Sequence, residues 1–212
     1  MEVSGVILAG GQSSRMGRDK ALIKIADQVL LQRVCEVALG VTDRVKIITP
    51  WPHRYRAIAP AAVDFLTEQR PAIAAAAGQN HLCPAGGIGP VGGLLQGLQA
   101  SQTEWILAIA CDLPCLQAAT LCRWRDQLES LSPQTVAYLP RRDGRWEPLC
   151  GFYRASCTKS LSAFIATGGR SLQGWLGSEP VQAIPGINPE ELFNLNRPSD
   201  LDTLTASLSS RP

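Results

Sequence analysis

Val3-Ser4-Gly5-Val6-Ile7-Leu8-Ala9-Gly10-Gly11-Gln12-Ser13-Ser14-Arg15-Met16-Gly17-Arg18-Asp19-Lys20 is the stretch that decides how this chain is read. A short apolar run, Val3–Leu8, passes directly into a glycine- and serine-rich loop that carries Arg15, Arg18 and Lys20. The run is expected to be a buried strand ended by the glycine turn. Small residues let backbone N–H groups approach phosphate oxygens, and cations at fixed places neutralise them. The loop therefore has the make-up of a triphosphate cradle. It fits neither common template, because no Lys-Ser/Thr follows Gly17 and no G-x-G-x-x-G lies within it. On composition alone, a flexible turn with solvated basic residues stays open.

Outward from this stretch, strands and helices alternate. Val29–Gly40 sets Leu30, Leu31, Val34, Val37, Ala38 and Val41 at helical spacing, with Gly40 as a C-terminal cap. Arg44–Thr49 predicts a second strand, stopped by Pro50 and Pro52, and Val63–Leu66 a shorter third. Residues 67–89 are irregular and read as a functional or mobile loop, although the alanines at 74–77 would also suit a short helix. Leu94, Leu95 and Leu98 predict a helix after Pro90, and Trp105–Ala110 is apolar throughout, as in a strand covered on both faces. This order predicts an α/β fold, a doubly wound and mostly parallel sheet with helices on both sides. After a helix over 118–128, Thr135–Leu139 and Trp146–Tyr153 read as two strands joined at Arg141-Arg142-Asp143-Gly144, an added antiparallel hairpin. A helix over 159–166, a short segment 171–176 and a strand 181–184 follow. Pro198 opens the last helix, with Asp200 and Asp202 in its first turn.

Composition limits the partners. In 212 residues the formal net charge is only +2, too slight for a nucleic-acid stripe or a membrane-binding patch, so basic residues act locally. Charged residues make up 18%, against about 25% in ordinary globular chains, which leaves most of the sequence free to be buried. The seven cysteines, at 35, 83, 111, 115, 122, 150 and 157, form no C-x-x-C pair and read as buried thiols of a reducing compartment. With Glu2 where a leader would be basic, and no apolar run near 18 residues, the expected location is the cytoplasm.

Taken whole, Leu-Ala-Gly-Gly-x-Ser-x-Arg-Met-Gly-x-Asp-Lys resembles the signature loop of the molybdenum cofactor guanylyltransferases, members of a wider nucleotidyltransferase group with a doubly wound sheet. Four further places carry the resemblance across nearly the whole chain. Gly89-Pro90-Val91-Gly92-Gly93 resembles the turn before a helix beneath the nucleotide. Cys111-Asp112-Leu113-Pro114 resembles the group's metal-binding Asp-x-Pro. Glu147-Pro148-Leu149 matches a segment near the acceptor, and Asn194-Leu195-Asn196-Arg197-Pro198 the terminal Asn-x-Asn-x-Pro. By resemblance, Leu8, Ala9, Gly10, Gly11 and Gly89 line the nucleotide, Arg15 and Lys20 grip its phosphates, and Asn194, Asn196 and Glu147 face the acceptor. Residues 1–116 would then form the nucleotide half of one 1–212 domain, and 117–212 the acceptor half.

The position of Asp112 agrees on independent grounds. A carboxylate just past a buried parallel strand lies where open α/β sheets bind ligands, and Mg²⁺ needs one or two carboxylates when triphosphate oxygens and water complete its shell. Two departures from the family pattern bear on the base. Glu68 stands at the place of a guanine-reading aspartate, with Asp64 as the other alignment, and Glu68 is a methylene longer and would have to retract. Thr49-Pro50-Trp51 replaces an asparagine, and Trp51 is open to base stacking or to a structural role. Gly87-Ile88-Gly89-Pro90-Val91-Gly92 fits G-x-G-x-x-G by letter, but no strand-like segment precedes it.

The resemblance implies transfer of GMP from GTP to molybdenum-molybdopterin with release of pyrophosphate, Mg²⁺ on Asp112, and catalysis by Arg15, Lys20 and Asp112. Molybdenum cofactor biosynthesis or molybdoenzyme maturation proteins would be transient partners. Transfer of another nucleotide to another acceptor on the same fold, and a GTP-binding module without turnover, are the alternatives.

Overall fold

The computed structural model describes residues 1–10, 16–69 and 88–209, with side chains through Leu204. Gly11, Arg15, Cys83 and most of the 67–89 loop, with its alanine block, lie outside the described residues. In chain order the elements are β1 (Val3–Leu8), β2 (Lys24–Ile25), β3 (Gln28–Val29), α1 (Leu30–Leu39), β4 (Arg44–Thr49), α2 (Pro52–Tyr55) and β5 (Val63–Thr67). There follow α3 (Pro90–Ala100), β6 (Trp105–Ala110), α4 (Ala118–Arg125), β7 (Ala137–Leu139), β8 (Arg141–Arg142), β9 (Arg145–Trp146) and β10 (Cys150–Arg154). The chain ends with α5 (Thr158–Ala166), α6 (Leu172–Leu176), β11 (Val181–Ala183) and α7 (Pro198–Ser209).

One seven-stranded sheet runs in the order β11-β7-β10-β6-β1-β4-β5. Its neighbours pair in parallel except along both edges of β10, which runs antiparallel to β6 and β7. The expected doubly wound, mostly parallel sheet is present. Side chains of a strand alternate between faces, so a strand buried on both sides is apolar at every position. In β6, Trp105, Leu107 and Ile109 enter the core under α1 and α4, whereas Ile106 and Ala108 enter the one under α3, α5 and α6. All five are fully buried.

Helix α3 packs closely on β1 through Gly93 and Gly97. A Cβ on Gly93 would stand 2.9 Å from Leu8 Cδ2, and one on Gly97 2.8 Å from Val6 Cγ1. This contact brings the N-terminus of α3 down beside the end of β1.

Several expectations are corrected. Helix α4 stops at Arg125, and a separate 3-10 turn covers Leu128–Ser130. The hairpin turn is Asp143-Gly144 alone, with φ of 49° and 76°, and Arg141-Arg142 belongs to a strand paired with Arg145-Trp146. Two successive left-handed residues are what a two-residue hairpin demands. The run from Trp146 to Tyr153 is broken at 147–149, where Pro148 has no N–H to give a ladder. In α7 only Asp200 stands in the first turn, where its Oδ2 accepts from the N–H groups of Asn196 and Arg197, both at 2.8 Å. Of the described cysteines, Cys35, Cys150 and Cys157 are buried, but Cys111, Cys115 and Cys122 are only partly so. No helix among the described residues is long and apolar enough to cross a membrane.

Candidate active site

Strands β1, β4, β5 and β6 end at one edge of the sheet, and the loops that leave them meet in a crevice of about 240 Å³. It is lined by Leu8, Ala9 and Gly10 after β1, by Asp19 and Lys20, by Glu68 after β5, by Gly89 at the start of α3, and by Cys111 and Asp112 after β6. Open α/β sheets bind ligands at this edge. A cavity of about 350 Å³ opens at the opposite end of the strands, but none of the candidate nucleotide, metal or acceptor residues lines it.

The end of the loop that follows β1 is pinned. Met16 is buried in the main core, and Asp19 caps the 3-10 turn Lys20–Leu22 by accepting from the N–H of Ala21 at 3.1 Å. The second Asp19 oxygen accepts from the Tyr55 hydroxyl at 2.7 Å. Burial raises the Tyr55 pKa, and the bond to Asp19 raises it further, so the phenol stays a donor. Lys20 is thereby presented to the far side of the crevice, where its Nζ donates to Asn196 Oδ1 at 2.8 Å and to Asp112 Oδ2 at 3.3 Å. Sequence reading assigned no role to Asp19 or Tyr55. The four-residue helix carrying Tyr55 is too short for any periodicity, and Pro52 is its only signal.

Asp112 is held through its backbone. Its carbonyl accepts from Leu195 N–H at 2.9 Å, which sets the C-terminal segment with Asn194 and Asn196 beside it. Arg33 of α1 donates through Nε to the carbonyl of Pro114 at 2.6 Å and fixes the following turn. One carboxylate oxygen faces Lys20, but Oδ1 is buried and has no hydrogen-bond partner among the described residues. A buried anionic oxygen without a donor is costly unless a cation meets it, and an oxygen ligand of this kind suits Mg²⁺. Asp112 therefore fits the expected metal ligand, with the oxygens of a bound triphosphate to share the ion. Beside it, burial and then the Asp112 charge raise the Cys111 pKa, which keeps the thiol protonated.

Glu68 rather than Asp64 enters the crevice; Asp64 is an exposed strand residue. The loop carrying Glu68 is clamped by Gln96 of α3, which accepts from Gln69 N–H at 3.1 Å and donates to the Thr67 carbonyl at 2.8 Å. The extra methylene is accommodated by Gly10, where a Cβ would stand 2.5 Å from Glu68 Oε2. Burial raises the pKa of the Glu68 carboxyl. Trp51 is not among the lining residues, and the Arg54 guanidinium lies 4.5 Å from its ring centroid, which gives the ring a structural contact.

A second cavity of about 180 Å³ adjoins the first, sharing Ala110, Asp112 and Leu149 with it. Glu147, Pro148, Leu192 and Asn194 are among its other lining residues. Asn194 and Glu147 thus line this cavity with Asp112, whereas Asn196 reaches Lys20 and is not among its lining residues.

A crevice at the strand ends, a carboxylate with one oxygen lacking a donor among the described residues, and a lysine across from it are the parts a nucleotidyltransferase uses. Residues 5–181 match the family described as MobA-like NTP transferase domain. A probable molybdenum cofactor guanylyltransferase from Trichormus variabilis is 43% identical over 94% of this chain and 88% of its own length. The molybdenum cofactor guanylyltransferase of Yersinia pestis is 30% identical over 94% and 93%. Among solved structures, molybdopterin-guanine dinucleotide biosynthesis protein A from Archaeoglobus fulgidus superposes with a TM-score of 0.75 at 19% identity, covering 99% of this chain and all of that one. The 2-C-methyl-D-erythritol 4-phosphate cytidylyltransferase of Thermus thermophilus superposes with a TM-score of 0.65 at 17% identity, over 99% and 100% of the two chains. The chain belongs to the molybdenum cofactor guanylyltransferase family.

Proposed function

We propose that this nucleotidyltransferase moves GMP from GTP to the terminal phosphate of molybdenum-molybdopterin, releasing pyrophosphate. The observation that carries this reading is the sharing of Asp112 by two cavities, the donor's on one side and the acceptor's on the other. Residues 1–116 then serve the nucleotide and 117–212 the acceptor. The acceptor phosphate is already ionised, so no strong base is required, and the work is orientation and charge neutralisation. Leu8, Ala9, Gly10, Gly11 and Gly89 bed the nucleotide, and Glu68 accepts from the two N–H groups of the guanine edge. Lys20 and Arg15 neutralise the departing pyrophosphate. Asp112 and the triphosphate oxygens hold Mg²⁺, which when bound withdraws charge from the α-phosphate. Asn196 orients Lys20, and Asn194 faces the acceptor. Molybdoenzyme maturation proteins receive the product. Pyrophosphate release with each of the four nucleoside triphosphates and purified acceptor tests the reading: GTP is expected to be the productive donor, and turnover with CTP alone would overturn it.

Glu68 gives this reading a pH signature. Its raised carboxyl means the native state binds the proton more tightly than the unfolded chain, so its contribution to stability falls as pH rises through the window between the ordinary glutamate value and the raised one. Guanine reverses the preference, because its two donors require the ionised carboxylate. GTP affinity measured by calorimetry should therefore weaken as pH falls through that window, and the Glu68→Gln protein should show no such slope there.

Tyr55→Phe keeps the buried ring and deletes only the hydroxyl that holds Asp19. The expected loss is about 1 kcal/mol in thermal unfolding, and a similar weakening of GTP binding because Lys20 is less firmly placed. Thermal melts and calorimetry on the same preparation check it.

A further inference from the structure

The cavity on the acceptor side raises a problem of charge. A phosphate monoester must settle next to a triphosphate, yet two of the lining residues are the carboxylates Asp112 and Glu147. Burial raises the Glu147 pKa, Arg142 works in the opposite direction, and the Asp112 charge adds a smaller upward push. Arg142 Nη2 lies 2.8 Å from Glu147 Oε1. The side chains of Arg142 and Glu147 are 38% and 23% exposed, and ion pairs so placed add little to stability.

The hairpin that carries Arg142 is nonetheless firmly set. Its two-residue turn is left-handed at both positions, and Arg141 stacks over Trp146 at 5.1 Å and donates through Nε to the Gly144 carbonyl at 3.2 Å. Gln173 of α6 clamps Trp146 by its backbone, accepting from its N–H at 3.3 Å and donating to its carbonyl at 2.5 Å. An arginine is thus held against Glu147, a carboxylate that lines the second cavity. Among the described residues the guanidinium meets that one carboxylate, and a guanidinium has five N–H donors in a planar fork suited to phosphate.

We propose that Arg142, aimed by Glu147, is a binding residue for the anionic phosphate of the acceptor. The inference rests on the reading of the second cavity as the acceptor site. Glu147 acts as the positioning residue: it holds the guanidinium beside the cavity lining while Arg142 cancels a carboxylate charge that would otherwise repel the incoming phosphate. Removing Arg142 therefore loses a contact and uncovers a repulsion together.

Steady-state kinetics with GTP, Mg²⁺ and molybdenum-molybdopterin test it in wild type, Arg142→Ala, Arg142→Lys and Glu147→Gln. Arg142→Ala is expected to raise the acceptor KM by about tenfold or more, with the GTP KM unchanged within twofold. Arg142→Lys should recover part of the loss, as a point charge without the fork, and Glu147→Gln should raise the acceptor KM less than Arg142→Ala does. Thermal melts of the variants should stay near the wild type. An acceptor KM within twofold of wild type in Arg142→Ala, or equal changes in both KM values, overturns the proposal and leaves the pair as a hairpin tie. Absence of turnover in the wild type would instead refute the reading of the reaction.

Discussion

Asp112→Asn is expected to lower kcat by about a thousandfold, the scale seen when a charge-stabilising group is removed from a preorganised site. The substitution is nearly isosteric, so the backbone bond to Leu195 and the turn held by Arg33 persist. What changes is the charge on a side chain whose Oδ1 is buried without a donor among the described residues. In the absence of nucleotide that oxygen is a liability, and a neutral amide relieves part of it, so the melting temperature without ligand should shift little. Stabilisation on adding GTP with Mg²⁺ should fall sharply in the variant, because ligand-linked stability follows affinity. A variant that turns over normally, or gains as much thermal stability from GTP and Mg²⁺ as wild type, would exclude Asp112 as the metal ligand.

Lys20→Ala should cost about a hundredfold to a thousandfold in turnover. The same change should also be felt without substrate. Lys20 and Asp112 are 19% and 20% exposed and lie 3.3 Å apart, so truncating the lysine leaves a largely enclosed carboxylate without its cation. A loss of about 1–3 kcal/mol in unfolding is expected, the range for leaving such a group unpaired. Because the two side chains touch, their effects should not add. Lys20→Ala combined with Asp112→Asn should be less destabilised than the two single losses summed, since removing both members of a pair leaves no orphan. Near-normal turnover in Lys20→Ala would remove the lysine from the mechanism.

Much of this site was legible before any coordinates. The Leu8-Ala9-Gly10 run, Lys20, Asp112 and Glu68 line one crevice because motifs at strand ends converge wherever a parallel sheet gathers its C-terminal edges. The two-faced strand Trp105–Ala110 announced a sheet covered on both sides. Less visible was everything that depends on side chains reaching across the fold. Tyr55 finds Asp19 across 36 residues of sequence, and no periodicity records it. Gly10 makes room for Glu68, a compensation between positions that neither residue signals alone. The Asp-Gly turn is legible, but Arg141 and Arg142 before it carry no strand signal, since charge is common in loops and two-residue strands are too short to show alternation.

The bond from Lys20 to Asn196 joins residues 176 positions apart. Synthesis on the ribosome delivers the nucleotide-facing strands first and the asparagine pair almost last, so a nascent chain could fold its parallel core long before it has the parts for chemistry. Competence would then arrive in one late step, when the closing segment docks on Asp112 and Lys20. Chains clipped ahead of Asn194 would lose Asn196, a partner of Lys20, together with Leu195 and Leu204 of the main core.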